Sequence, residues 1–226
     1  MKTIYYYQSF CGLDKLLTHI NDIDVIILSS IHFGINSDKI PYIHLNDNNP
    51  SDKIFDPVWK DINKASSHDT TILLMVGGAG GAYELLFKEF NTYYPLLKEV
   101  IKDNKCIKGI DLDIEEEVDI NNVKKLINIL MKDFGKDFII TMAPVSTSLL
   151  YDGGGMGGFS YKKLYNSEEG KYIKWFNTQC YGTFNKETFD NIIKNGYPAD
   201  KIVMGMISFD FNNNNFNDAL TTIKNV

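Results

Sequence analysis

The 226-residue sequence predicts an α/β protein, a (β/α)8 barrel of the TIM type lacking its eighth strand. Three features point there. Seven short apolar runs alternate with segments of helical periodicity, the order that builds a mostly parallel sheet with helices outside it. Polar residues gather near the carboxyl ends of nearly every run, where a barrel carries its active site, whereas an open doubly wound sheet gathers ligand contacts at one switch point. The chain is also about one βα unit short of the average barrel of about 250 residues.

In chain order, the first run is TIYYYQSF (3–10), followed by the helical pattern LDKLLTHI, whose Leu13, Leu16, Leu17 and Ile20 recur at i, i+3, i+4 and i+7. The run DVIILSSIHFG (24–34) comes second, and TILLMVGG (71–78) leads through glycine into AYELLFKEFNTYYPLLKEVIKD (82–103). Next, IKGIDLDIE (107–115) precedes VDINNVKKLINILMKDFG (118–135), which ends in a glycine suited to stopping a helix. FIITMAP (138–144) precedes SYKKLYNSEEG (160–170), YIKWFNTQCYG (172–182) precedes KETFDNIIKNG (186–196), and KIVMGMI (201–207) precedes NDALTTIKNV (217–226). Residues 1–226 thus read as one barrel domain whose eighth strand comes from a missing C-terminal segment or a partner, unless one further strand lies among these segments. The low-complexity pieces NDNNP (46–50) and NNNN (212–215) read as solvated loops.

A formal charge of −6, with lysines scattered among acids, excludes the basic stripe of a nucleic-acid binder. Aromatic residues make up 13% of the chain, 13 Tyr and 14 Phe among them, and supply flat surfaces for a neutral partner. Cys11, Cys106 and Cys180 are odd in number and lack C-x-x-C spacing, so they read as buried thiols, with neither a zinc site nor a disulfide framework indicated. No metal and no cofactor is expected. The amino terminus has no apolar run ending in small residues, and no stretch approaches the ~18 apolar residues of a membrane span. The expectation is a soluble protein, cytoplasmic or non-classically released, with no membrane partner.

The segment IKGIDLDIEEEV (107–118) carries the chemistry. Asp111, Asp113 and Glu115 fall at every second position, so on a strand they share one face at a spacing of about 7 Å. Ile110, Leu112 and Ile114 then face the helices and the acids face the interior. Unpaired buried charges cost several kcal/mol each, and like charges so close resist ionising together. Such an arrangement serves chemistry when it holds one carboxyl protonated as a general acid, and Glu115, at the carboxyl end, is best placed to meet a ligand. Cation binding, or pairing with buried Lys or Arg, is the alternative.

GIDLDIE resembles the D-x-x-D-x-D-x-E fourth strand of family-18 glycoside hydrolases, the chitinases and endo-β-N-acetylglucosaminidases. SIHFG is similar to the family's second strand, LLMVGGAGG to its third, TMAP to its fifth and WFNTQCYG to its Q-x-Y sixth, while GMGGFSYKKLY and GYPADKIVMG resemble stretches flanking the sixth. The resemblance implies a (β/α)8 barrel acting on N-acetylglucosamine oligomers with retention. Glu115 would protonate the glycosidic oxygen, Asp113 would orient the substrate's 2-acetamido group, and Asp111 would stand behind Asp113, sharing a proton. Tyr181 would donate to the acetamido oxygen, Gln179 and Met142 would line the same subsite, and Gly77 and Gly78 would pack closely beside the sugar. The nucleophile would be the substrate's own amide oxygen, an exception to the two-carboxylate scheme. Two departures stand out. Lys108 replaces the pattern's first Asp, at a parity that points it away from the interior. The family's eighth-strand tryptophan, floor of the central subsite, has no counterpart in Trp59 or Trp175, which leaves a catalytically silent sugar-binding protein as the second reading. A structural barrel whose acids bind metal is the third.

Other motifs read as structural. GGGMGG contains G-x-G-x-x-G at Gly153, Gly155 and Gly158 but does not directly follow a strand or sit in a βαβ unit with a ribose-binding acid. VGGAGGAYELL runs from strand to helix without the Lys-Ser/Thr pair of a P-loop. His32 is more simply a structural histidine at the mouth, since no nucleophile elbow accompanies it. Glu116, Glu117 and Asp119 read as solvated acids at a helix start.

Overall fold

The computed structural model describes residues 2–153, 155–207 and 216–226. NNNN (212–215) and Gly154 of GGGMGG lie outside the described residues. The chain forms two compact units, the first running through Glu115 and including Phe134–Ile139, the second comprising Glu116–Asp133 and Ile140–Val226.

The first unit is built on strands β1 (Ile4–Tyr7), β2 (Val25–Ile35), β3 (Pro41–Leu45), β4 (Thr71–Gly77) and β5 (Ile107–Asp113). β1, β2, β4 and β5 lie side by side in that order and parallel, with Tyr6 opposite Ile27, Ile27 opposite Leu73 and Leu73 opposite Gly109. Val25 to Ile31 and Ile72 to Gly78 are buried without a break, the continuous burial of parallel strands covered on both faces. Helices α1 (Asp14–Leu17), α2 (Asp56–Ser66), α3 (Tyr83–Lys88) and α4 (Phe90–Asp103) follow the strands. α4 buries Tyr93, Leu97 and Ile101 at four-residue spacing, one stripe of the helix.

In the second unit β6 (Ile139–Met142), β7 (Ile173–Gln179) and β8 (Ile202–Gly205) are parallel neighbours, Met142 opposite Phe176 and Gln179 opposite Gly205. Helices α5 (Ile120–Phe134), α6 (Ser146–Leu150), α7 (Tyr161–Tyr165), α8 (Lys186–Lys194) and α9 (Phe216–Asn225) alternate with them. α5 buries Val123, Leu126, Ile127 and Leu130, and Asp119 starts it by accepting from the Asn121 amide at 2.8 Å. Asn185 caps α8 by accepting from the Thr188 amide at 2.9 Å.

Seven parallel strands with helices between them, among the described residues, reproduce the expected α/β element order of a (β/α)8 barrel without its eighth strand. Several expectations need correction. β3 is antiparallel to β2 and lies in a segment to which the sequence assigned no element. Asp56–Ser66 is a helix, opened by Pro57 near its start and burying Val58, Ile62 and Ala65, with Trp59 in its first turn. The stretch 82–103 is two helices because Glu89, at φ −126° and ψ 52°, leaves helical geometry. Cys11 is exposed in the loop after β1, while Cys106 and Cys180 are buried as expected. Asn46 of NDNNP is a tether rather than a solvated residue: its side chain accepts from the Ser30 amide at 3.1 Å and donates to the Gln8 carbonyl at 3.1 Å.

Candidate active site

Within the first unit, β5 buries both of its faces: Ile110 and Leu112 are fully enclosed, and Asp111 and Asp113 are 0% and 6% exposed. Lys108 is exposed, as its parity requires, and donates to the Lys105 carbonyl at 3.0 Å. Glu115 lies two residues beyond the last strand residue and is half-buried.

A residue that the sequence did not reveal completes this cluster. The Tyr6 hydroxyl on β1 donates to Asp111 Oδ2 at 2.8 Å. Strands β1 and β5 are separated by β2 and β4, so in a flat sheet their side chains would stand about 14 Å apart. The bond therefore requires the sheet of this unit to curl toward the face that bears the acids. Curling brings alternate residues of non-neighbouring strands together, which is how a barrel-type sheet makes a site from residues far apart in sequence.

Gly77, the last residue of β4, and Gly78, which follows it, are in the left-handed region, at φ +95° and +83°. The Gly78 amide donates to the Asp113 carbonyl at 2.9 Å. A β-carbon on Gly77 would lie 2.2 Å from that same carbonyl oxygen, and one on Gly78 would lie 3.4 Å from Asp113 Oδ2 and 2.8 Å from Met75 Cε. Glycine is what lets the β4 terminus press against Asp113. Two further groups fix the turn: the buried Tyr83 hydroxyl donates to the Val76 carbonyl at 2.7 Å, and His32 Nε2 lies 3.2 Å from the Ala79 carbonyl oxygen. Asp111, Asp113, Gly77 and Gly78 are thus brought together, with Glu115 next along the chain.

Met142, Gln179 and Tyr181 belong to the second unit. Met142 closes β6 with no exposed surface. Gln179 ends β7 half-buried; its side-chain amide donates to the Ala143 carbonyl at 2.8 Å and its backbone amide to the Pro144 carbonyl at 2.8 Å, which fixes the side chain. Tyr181 follows the strand and is 48% exposed. Between them Cys180 is enclosed, its backbone amide donating to the Gly205 carbonyl at 2.9 Å, and burial pushes its thiol up to about 12. Trp175 and Asn177 share the parity of Gln179, and both are buried, the indole N–H donating to Asn177 Oδ1 at 2.8 Å. Trp59 is half-buried and donates to the Pro50 carbonyl at 2.9 Å.

Past Glu115, Asp119 serves as the cap of α5, and the side chain of Glu117 packs against Gly158. Glu117, Asp119, Phe159 and Lys163 line an open concavity of about 710 Å³ in the second unit. Among the described residues no group of three or more His, Cys, Asp or Glu is arranged to hold a metal ion, and no described helix is long and apolar enough to cross a membrane.

Comparison with solved structures settles the fold. A chitinase from Aspergillus fumigatus matches at 29% identity with a TM-score of 0.81, over 89% of this chain and 76% of that one. A fungal endo-β-N-acetylglucosaminidase of glycosyl hydrolase family 18 matches at 28% identity with a TM-score of 0.83, over 100% of this chain and 84% of that one. The chain has the family-18 glycoside hydrolase fold. A family-18 chitinase from Pseudoalteromonas aurantia shares that fold at 22% identity, with a TM-score of 0.67 over 91% of this chain and 80% of that one. No family model and no curated protein sequence matches the chain. The two fungal relatives, at 29% and 28% identity, are glycosidases, and that similarity supports the glycosidase class for this chain.

Proposed function

We propose that the chain is a glycoside hydrolase cleaving β-1,4-linked N-acetylglucosamine in chitin or chito-oligosaccharides, with retention and with the substrate's acetamido group as nucleophile. One observation carries the reading: two enclosed aspartates on a strand, the inner one bonded to Tyr6 and the outer one pressed against Gly78, lead to a half-exposed Glu115 two residues on. Similarity to the two fungal glycosidases supports the substrate class.

In this mechanism Glu115 gives its proton to the glycosidic oxygen as the leaving sugar departs with the bonding pair. The acetamido oxygen attacks the anomeric carbon and forms an oxazolinium ion, and Asp113 stabilises the positive charge on its nitrogen. Water then adds to the anomeric carbon from the face the leaving group vacated, giving a proton back to the Glu115 carboxylate, and the amide is restored. Asp111 holds Asp113, Tyr6 holds Asp111, and Tyr181 donates to the acetamido oxygen beside Gln179; Met142, expected from the sequence in the same subsite, has no exposed surface and does not line it. Such a scheme needs no second enzymic nucleophile.

Hydrolysis of a chito-oligosaccharide by the wild type and by Glu115→Gln tests the assignment. Loss of a general acid lowers the rate about 10²–10⁴-fold, and the first product released is the β-anomer; undiminished hydrolysis by the variant refutes the role of Glu115. A second reading, a sugar-binding protein without turnover, is favoured by the tryptophans: Trp175 is 3% exposed, and the indole N–H of each is taken up by the protein's own oxygens. Saccharide binding with no product after long incubation would decide for it.

A further inference from the structure

We propose that His32 is a positioning residue for the cleavage reaction: its ring, with a proton on Nε2, grips the glycine turn after β4 and through that turn sets the carboxylate of Asp113. The proposal rests on the glycosidase reading and deepens it by naming what fixes the group that faces the charged nitrogen of the oxazolinium ion.

The segment from Gly77 to Gly81 reads Gly-Gly-Ala-Gly-Gly. It carries no side chain longer than a methyl, so its place depends on what grips its backbone. That place governs Asp113, because Gly78 meets it twice: the Gly78 amide donates to the Asp113 carbonyl at 2.9 Å, and a β-carbon on Gly78 would lie 3.4 Å from Asp113 Oδ2. A displaced turn therefore displaces the aspartate, backbone and carboxylate together. At the middle of the turn the grip comes from His32 on β2. Its Nε2 lies 3.2 Å from the Ala79 carbonyl oxygen, and a β-carbon on Gly80 would lie 3.9 Å from the same nitrogen, so the ring rests against the turn.

The partners of the two ring nitrogens fix the proton. A carbonyl oxygen only accepts, so the contact with Ala79 is a hydrogen bond when Nε2 carries the hydrogen, and Nδ1 of the neutral ring is then an acceptor. Facing Nδ1 at 3.4 Å is the Ser30 hydroxyl, which donates to it. Ser30 is buried and pinned from both sides by Asn46, whose amide donates to the Ser30 carbonyl at 3.0 Å and whose Oδ1 accepts from the Ser30 amide at 3.1 Å. The His44 ring stacks on His32 at 5.5 Å and 22°, and His44 Nδ1 is bonded to the Asn46 carbonyl. Ring plane, tautomer and reach of His32 are thus set by β2, β3 and the residue after β3. Both ring nitrogens are committed to protein groups, which assigns the histidine to holding the turn and not to moving a proton of the substrate.

The test measures kcat and KM for chito-oligosaccharide hydrolysis by full-length wild type, His32→Ala, His32→Asn and His32→Gln, together with nitrogen NMR of the neutral His32 ring in the wild type. A misplacement of about 1 Å costs a reaction about 10²-fold, so His32→Ala should lower kcat about ten- to hundredfold and change KM less than about threefold. Glutamine puts an N–H where Nε2 stands and should restore most of the rate; asparagine, whose amide stops nearer the main chain, should not. The spectrum should place the proton of the neutral ring on Nε2. A proton-transfer role would leave His32→Gln as slow as His32→Ala, and a purely structural one would lower the urea midpoint with kcat of the folded protein unchanged. Either result, or a neutral ring protonated on Nδ1, overturns the positioning role while leaving that of Glu115 standing. Absence of hydrolysis by the wild type overturns both readings.

Discussion

Tyr6 and Asp111, 105 residues apart in sequence, are joined by a hydroxyl-to-carboxylate hydrogen bond of 2.8 Å. Asp111 has no exposed surface, so this donor replaces water that the carboxylate would otherwise hold. Hydrogen bonds to charged groups contribute about 1.5–3 kcal/mol. Tyr6→Phe is therefore expected to lower the unfolding free energy by about 1–3 kcal/mol and to slow hydrolysis by loosening the support of Asp113. Combined with Asp111→Asn, the losses should sum to less than the two single effects. Urea denaturation of the four proteins measures the coupling, and additivity within about 0.5 kcal/mol would show that there is none.

Gly77 and Gly135 separate backbone strain from crowding. Both adopt left-handed φ, +95° and +87°, yet a β-carbon on Gly77 meets the Asp113 carbonyl at 2.2 Å and one on Gly135 meets nothing within 4 Å. Left-handed geometry costs an alanine about 1–2 kcal/mol at either place. Overpacking adds about 1–3 kcal/mol at Gly77 alone. Thermal melts should rank Gly77→Ala clearly below Gly135→Ala, with hydrolysis impaired only in the former; equal melting temperatures would mean that β4 does not need its close approach to Asp113.

Tyr181 offers a role that stability cannot imitate. Its side chain is 48% exposed, so Tyr181→Phe should change the unfolding free energy by less than about 0.5 kcal/mol. If its hydroxyl donates to the acetamido oxygen as charge develops there, kcat should fall about 10²-fold or more, as for other donors of this kind. An unchanged kcat removes Tyr181 from the mechanism.

What the sequence made legible follows from what sequence patterns encode. The seven parallel strands are continuous apolar runs punctuated by Gly, Pro and polar residues, and their alternation with helices is a local signal. Asp111, Asp113 and Glu115 were legible because period-two spacing within one strand is also local. Tyr6 was not, because its partner lies three strands away, beyond β2 and β4 in a curled sheet, and a run of three tyrosines gives no hint of which one turns inward. β3 is five residues long and opens on Pro41, a poor advertisement for a strand. α2 carried a usable signal in Pro57 and the Val58, Ile62, Ala65 spacing. Cys11 sits beside apolar residues in sequence but in a loop that leaves the sheet, so composition alone misplaced it.

The thiols give a prediction in alkali. Cys180 is enclosed and its thiol is pushed from 9.0 up to about 12 by burial, Cys106 is raised for the same reason, and Cys11 is exposed. In the native protein a thiol reagent should label Cys11 rapidly, and Cys106 and Cys180 only on unfolding. Below pH 9.0 the Cys180 thiol keeps its proton in both states and contributes no pH dependence. Above 9.0 the unfolded chain releases that proton while the folded chain holds it until about 12, so the unfolded state binds fewer protons and stability falls as pH rises. One such thiol accounts for at most about 1.4 kcal/mol per pH unit. Urea midpoints at successive pH values above 9.0, compared between wild type and Cys180→Ala, isolate this group from others titrating nearby. The wild type should lose stability more steeply than the variant, and parallel curves would show that Cys180 exchanges its proton with solvent in the folded state.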